Sequence, residues 1–347
     1  MQAAVDAAND GYIVTIGPGT YTEEIEITGK SLVLLGCPDG GDVILTNASY
    51  RHYIVTATRD SVERHLAVYD LTLAGYSDPE AGEAGNGGGL HSEGAHLCVG
   101  MRTEIHHGSQ LLGGGIWFVG AGSDDPSNRY VLTITDSASI HNNSATIGGG
   151  IYADSYTATN VTAYAEIYDN SALTHAGGVF VYYGSTGRFA GNAVVRNNNA
   201  GEAGGGIKLF GGGNLSDEDT IVFEDNAELR ANTTNGKGGG LAVLYSEGKE
   251  AIVVRDHALI GDNRAVDGGG LYVEGSDRVD ILDDAELHGN TATGQGGALY
   301  HRRRDGQSTP GAVTLADRAV VSVNTAVDGA GFYFHGKAQV SLSDEAA

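Results

Sequence analysis

Short runs of alternating apolar and polar residues fill the chain from Tyr12 onward and are cut by Gly, Pro, Asp or Asn. Residues 12–16, 25–27, 32–35, 43–45 and 53–55 read as the first such strands, with no helical run between them. Ahead of them, residues 2–8 have helix-forming composition and stop at the turn signal Asn9-Asp10-Gly11. One short helix over the open end of the following structure is the expected result.

From residue 90 the alternation acquires a longer period. An apolar residue directly after glycines falls at Leu90, Ile116, Ile151, Val179, Ile207, Leu241, Leu271, Leu299 and Phe332. Eight or nine positions earlier stands an asparagine, at Asn143, Asn170, Asn198, Asn232, Asn263, Asn290 and Asn324, with Gly108 in the equivalent place one repeat before. A third apolar run precedes each asparagine, marked by Ile134, Val161, Phe189, Phe223, Val254, Ile281 and Leu315. Length variation is confined to one connection per repeat, carrying residues 122–127, 211–219, 246–250 and 302–311. Insertions restricted to one face are the mark of a solenoid. The pattern predicts an all-β solenoid with three strands per turn and about ten turns, a rod of roughly 50 Å at one strand spacing per turn.

The repeat also assigns physical roles. Asparagine tolerates the left-handed conformation of a sharp bend, and its amide can hydrogen-bond the asparagine one rung away, making a structural ladder. Glycines supply the positive φ of the next bend. Asp136, Asp225, Asp256, Asp283 and Asp317 recur after the third strand, where an Asx turn is the natural use. Calcium at these carboxylates is a weak candidate, because a calcium ion needs about six oxygens or more. No other cofactor is indicated.

Composition narrows the class. Glycine makes up 55 of 347 residues without a Gly-X-Y period, which excludes collagen, and 41% hydrophobic content supports a continuous core. A formal net charge of −24 repels phosphate backbones, so nucleic acid is a poor partner. No run approaches the roughly 18 apolar residues of a membrane span. Cys37 and Cys98 show no metal-ligand spacing and are expected as small buried hydrophobes. The start, without a basic and apolar leader, and the end, directly after a strand-like run, are those expected of one β-helix domain over 1–347 taken from a longer chain. Residues 1–75 hold the cap and first turns, and 76–347 the repeat turns.

Ala3-Ala4-Val5, the run Gly17-Pro18-Gly19-Thr20-Tyr21-Thr22-Glu23 and Ser31-Leu32-Val33-Leu34-Leu35-Gly36 resemble the opening of the pectin-lyase-like superfamily. That resemblance covers about the first 75 residues and implies a right-handed parallel β-helix with an N-terminal helical cap. Gly296-Gly297-Ala298-Leu299 matches the GGA(I/L) half of the repeat in the polymorphic outer membrane protein family, and Gly148-Gly149-Gly150-Ile151 comes close. The FxxN half departs, with an aliphatic in place of Phe, as in Ile140-His141-Asn142-Asn143. This second resemblance implies a surface adhesin, extracellular or displayed on the cell.

The pectin-lyase-like fold also carries polysaccharide lyases, hydrolases and esterases. Gly19-Thr20-Tyr21-Thr22-Glu23 matches the first pectinesterase signature, but the later motifs with the catalytic aspartates are missing. Neither GHG nor RIK of the polygalacturonase set occurs. Arg102, Glu104 and His106 are the nearest approximation to a lyase cluster, in the turn where Gly108 replaces asparagine. Their bland reading is a solvated outward face.

Outward strand positions offer a second kind of site. The first outward residue after the glycines reads Trp117, Tyr152, Phe180, Lys208, Ala242, Tyr272, Tyr300 and Tyr333. Six aromatics in eight positions are either a cross-rung stack that stabilises the rod or a stripe that holds a sugar or protein. The basic run Arg302-Arg303-Arg304 lies beside it and is a candidate contact for an acidic polymer. The leading expectation is a non-catalytic rod that binds a polysaccharide or a cell-surface protein. A polysaccharide-active enzyme and a structural spacer are the alternatives.

Overall fold

The structure is a computed structural model that describes residues 1–37, 41–46, 63–75, 87–120, 129–211, 221–245, 251–275, 278–303 and 311–343. The strand expected at 53–55, most of the variable stretches and Arg304 lie outside the described residues. The described strands form four sheets of 12, 11, 7 and 9 strands, and their pairings are parallel. The only described helix is Gln2–Ala7.

One repeat shows how the sheets are visited in turn. Tyr130–Ile134 belongs to sheet I, Ser139–His141 to sheet II, Ser144–Ile147 to sheet III and Ile151–Asp154 to sheet IV. The next strand, Thr157–Val161, returns to sheet I beside Tyr130–Ile134. Sheet III is the departure from the three-strand expectation. Its strands fill the span between the asparagine and the glycines and shrink to two residues from Asn199–Ala200 onward, too short for alternation to reveal them.

Inward residues of sheets I, II and IV build one continuous core, from Val5 to Ala319. At the corner between sheets I and II the chain takes a left-handed residue at Asp136, Asp225, Asp256, Asp283 and Asp317, with φ of 57 to 60°. These aspartates do not make the expected turn within their own loop. Each carboxylate reaches across to a neighbouring rung, as in Met101 N–H to Asp136 (2.9 Å), Gly191 N–H to Asp225 (2.9 Å) and Asp225 N–H to Asp256 (3.0 Å). The carboxylates thereby satisfy backbone donors that a sharp corner would otherwise leave unpaired.

At the corner between sheets II and III the asparagine ladder forms as expected. Asn198 Oδ1 accepts from both the N–H and the Nδ2 of Asn170, each at 3.0 Å. Its own Nδ2 donates to Asn232 Oδ1 (3.0 Å) and to the Ile167 carbonyl (2.9 Å). The pattern begins with Gly108 N–H on Asn143 and runs to Asn324. Asn143, Asn170, Asn198, Asn232, Asn263 and Asn290 are buried, so every amide group has its partners where water is excluded.

At the N-terminal end the helix lays Val5 over the first rung. Gln2 exchanges hydrogen bonds with the Glu26 backbone (2.9 and 2.8 Å), and Lys30 Nζ donates to the Val5 and Ala8 carbonyls at the helix C-terminus. Ile25 and Ile27 are buried as expected, but in extended chain without a strand assignment. Cys37 and Cys98 are unpaired and half-buried; Cys98 takes an outward position of sheet I between Ala67 and Thr133, rather than a core position.

Candidate functional site

Sheet IV is apolar on both faces. Its inward residues join the main core, and its outward residues make two further clusters, one around Tyr152, Ala176 and Phe180 and one around Ala203, Ala242, Leu244, Tyr272 and Tyr300. The predicted aromatic row is therefore real as a row but is not an open stripe. Tyr152, Phe180, Tyr272 and Tyr300 are buried, and Trp117 and Tyr333 are half-buried.

The corner between sheets III and IV explains the covering. Gly268 turns there with φ of 65°, and a Cβ on it would lie 2.8 Å from the Tyr272 Cβ. A bend without side chains can thus fold its backbone directly onto the stem of the row residue. Side chains at the end of the sheet III segment, such as Leu112 and Ile147, close one flank, and Val119, Tyr182 and Phe210 at strand ends close the other. Within the cover the rings stack, Tyr272 on Tyr300 at 4.7 Å and Tyr300 on Tyr333 at 5.2 Å. Tyr152 and Tyr272 donate their hydroxyls to Asp154 and Glu274 two residues on. Burial raises the phenol of Tyr152, and raises those of Tyr272 and Tyr300 to about 12.

The row is interrupted at Lys208 and Ala242, and the interruption opens a cavity of about 410 Å³. His175, Gly201, Glu202, Ala203, Asn235, Gly236 and Lys237 wall it on the sheet III side, and Lys208, Leu244 and Tyr245 on the sheet IV side. Lys208 is 1% exposed. Its ammonium lies 5.6 Å from the Phe180 ring centre and 5.5 Å from that of Phe210, and no carboxylate comes within 4 Å among the described residues. Burial lowers its pKa to about 8, opposed by Glu202 and assisted by Lys237. Lys237 is engaged, 4.8 Å over the Tyr272 ring and 3.6 Å from Glu274. His175 lies 3.7 Å from Glu202, and burial lowers its pKa. Reading the sequence as a count of aromatics passed over Lys208, although a lone cation in an apolar row was the visible signal.

The basic run contributes less than its spacing suggests. Arg302 stands beside Glu274 in the register of sheet IV and is half-buried against Tyr272, so its charge is turned to the rod itself. Arg303 is half-buried beside the last rung.

Arg102 and Glu104 share a polar cavity of about 350 Å³ with Asp42, Asp70 and Thr72 on neighbouring rungs. Arg102 is exposed and tied to Asp70 at 2.9 Å, and that bond raises its pKa, away from what a proton-abstracting base requires. His106 does not line this cavity. Its Nδ1 lies 2.5 Å from Nδ1 of His107, its ring stacks on His141 at 5.2 Å, and burial lowers its pKa to about 4. The stack continues through Tyr168 to the Arg196 guanidinium, which also pairs with Glu166 at 2.7 Å. This outward row of sheet II is paired from rung to rung.

Glu63, His65 and His96 bring one ligand atom each within 4.8 Å of one another. Val131 N–H donates to His96 Nδ1 (3.1 Å), which puts the ring proton on Nε2, and Nε2 lies 2.9 Å from Glu63. In that tautomer His96 offers no lone pair to a metal ion. No protein-family model, curated protein or solved structure matches this chain.

Proposed function

We propose that the chain is a right-handed parallel β-helix of about ten turns, secreted or displayed at a cell surface, that works as a non-catalytic, adhesin-like binding rod. Parallel strands of one sheet joined by a crossover are right-handed in about 98% of cases, which supports the hand. The turn wording Gly296-Gly297-Ala298-Leu299, with its surface-adhesin resemblance, supports the class. The single observation that carries the function is the open cavity at Lys208, set into an otherwise closed outer face of sheet IV. Two of the variable stretches follow the sheet IV strands that end at Phe210 and Leu244, and Leu244 also lines the cavity.

Ala203, Lys208 and Leu244 are the cavity's buried lining, and the contact surface is the exposed Tyr245 on its rim with Leu173 and Val266 to either side. Arrays of polysaccharides and cell-surface proteins probed with the whole chain test this reading. Saturable retention that falls about tenfold or more in Tyr245→Ala agrees with it. Retention unchanged in Tyr245→Ala, Leu173→Ala and Val266→Ala together contradicts it. The polar cavity at Arg102 and Glu104 favours the second reading, a polysaccharide-active enzyme, which predicts turnover.

A further inference from the structure

Lys208 is the one described lysine of this chain that is buried, and its three nearest neighbours in kind differ from it. Lys30 is bonded to three carbonyls, Lys237 faces Glu274, and Lys337 is exposed. The Lys208 ammonium lies over two ring faces and has no carboxylate within 4 Å among the described residues, so it is poorly compensated where it stands. A carboxylate that enters the cavity would pair with Lys208 beside a mostly buried wall, where the pairing is stronger than in open water.

The rim decides what carries that carboxylate. Val266 N–H donates to the Gly236 carbonyl at 2.8 Å, and Gly201 backs onto the Leu173 carbonyl, so Leu173 and Val266 flank the cavity from the rungs before and after it. Tyr245, stacked on Phe210 at 4.7 Å, forms the opposite lip. Leu173 is 68% exposed, Val266 42% and Tyr245 49%. Sugars stack on rings and offer hydroxyls; branched aliphatics on the lip suit apolar side chains. A buried charge with polar groups in the wall, Glu202 and Asn235, and exposed apolar groups on either side is the anatomy of a protein contact.

We propose that this cavity is the docking point of a protein partner, taking an Asp or Glu side chain from a segment whose flanking apolar residues lie on Leu173, Val266 and Tyr245. The proposal rests on the binding-rod reading and specifies its partner. Lys208 supplies the charge, the Phe180 and Phe210 faces hold it in place, and Asn235 stands in the wall as a hydrogen-bonding group. Glu202 on the rim, 64% exposed, is drawn toward His175 and remains in water.

Titration calorimetry on the whole chain tests this with blocked peptides that carry one central Glu between leucines, matched peptides with Gln in its place, and glucuronate as a sugar acid. The Glu peptide should bind about tenfold or more tightly than the Gln peptide. Lys208→Met and Lys208→Gln should each remove that difference and leave the Gln peptide unaffected; whichever variant folds as judged by circular dichroism is sufficient. Equal affinity for Glu and Gln peptides, or a difference that survives both substitutions, overturns the proposal. Glucuronate bound through Lys208 in place of the peptides reassigns the cavity to a sugar and overturns it as well, as does Lys208-dependent self-association in sedimentation. Retention of some array ligand through Tyr245, with no response to Lys208, removes this inference and leaves the binding rod standing.

Discussion

Asn198→Asp separates a load carried by the asparagine ladder from one carried by apolar packing, because it keeps the side-chain shape. Asn198 is fully buried and its side chain takes part in four hydrogen bonds, two accepted from Asn170 and two donated by Nδ2 to Ile167 O and Asn232 Oδ1. The substitution leaves the accepted pair and sets an oxygen against two oxygens at about 3 Å. Ile167 O and Asn232 Oδ1 each lose one donor, Asn232 Oδ1 keeping the Asn198 N–H (2.9 Å), and a buried carboxylate oxygen faces both, so the rod should be destabilised by roughly 3–5 kcal/mol at neutral pH. A protonated carboxyl restores one donor, and burial between acceptors raises the folded-state pKa above the unfolded ~3.9. With that sign the deficit is smallest below about pH 4 and grows as pH rises through the folded value. Urea unfolding reports the total, and amide exchange at Asn170 and Asn198 locates it, since a rod of stacked rungs opens locally. Asn324→Asp, in the half-buried last step of the ladder, should cost about 1 kcal/mol or less. A neutral-pH deficit under about 0.5 kcal/mol for Asn198→Asp, or one of equal size at pH 4 and pH 7, refutes the reasoning.

Three further outcomes follow from other parts of the rod. Tyr300→Ala should lower stability by about 3 kcal/mol in urea unfolding, because the ring is buried between Tyr272 and Tyr333; an exposed ring would cost under about 1 kcal/mol. Glu224→Gln should cost about 1–2 kcal/mol, as buried Glu224 pairs with Arg188 and Arg255, and the loss should shrink in high salt. His106 has a folded pKa near 4 against an ordinary value of 6.5, so its contribution is present above 6.5 and is lost as pH falls toward 4. Partial exposure to solvent leaves this on the order of 1 kcal/mol. Thermal melts across that window should show a shallower acid slope in His106→Gln than in the parent chain.

What could be read in the sequence was whatever repeats at fixed spacing. The asparagines, the third-strand aliphatics and the glycine corners are set by backbone geometry that every turn must satisfy, so Asn143 to Asn324 came out in register and bonded to one another. Sheet III escaped because Asn199–Ala200 and Thr233–Thr234 are too short for a period of two to show. The aspartate column was found by recurrence, but its bond to the neighbouring rung is a tertiary contact that no local turn rule contains. Alternation tells which residues of sheet IV point away from the core, not whether something covers them. The cover comes from the Gly268 corner lying on Tyr272, a consequence of stacking. The same step hid Lys208: its chemistry follows from burial between Phe180 and Phe210, and that becomes visible only once both rings are placed.

The central claim is that the rod binds and does not turn over. Its most direct test is incubation of the intact chain with acidic and neutral polysaccharides, with reducing ends and unsaturated uronide products followed alongside retention on immobilised ligands. Saturable retention with no product above that of a heat-unfolded sample is the predicted result. Sustained product release that disappears in Arg102→Ala would contradict the account and assign the chain to the polysaccharide-active enzymes.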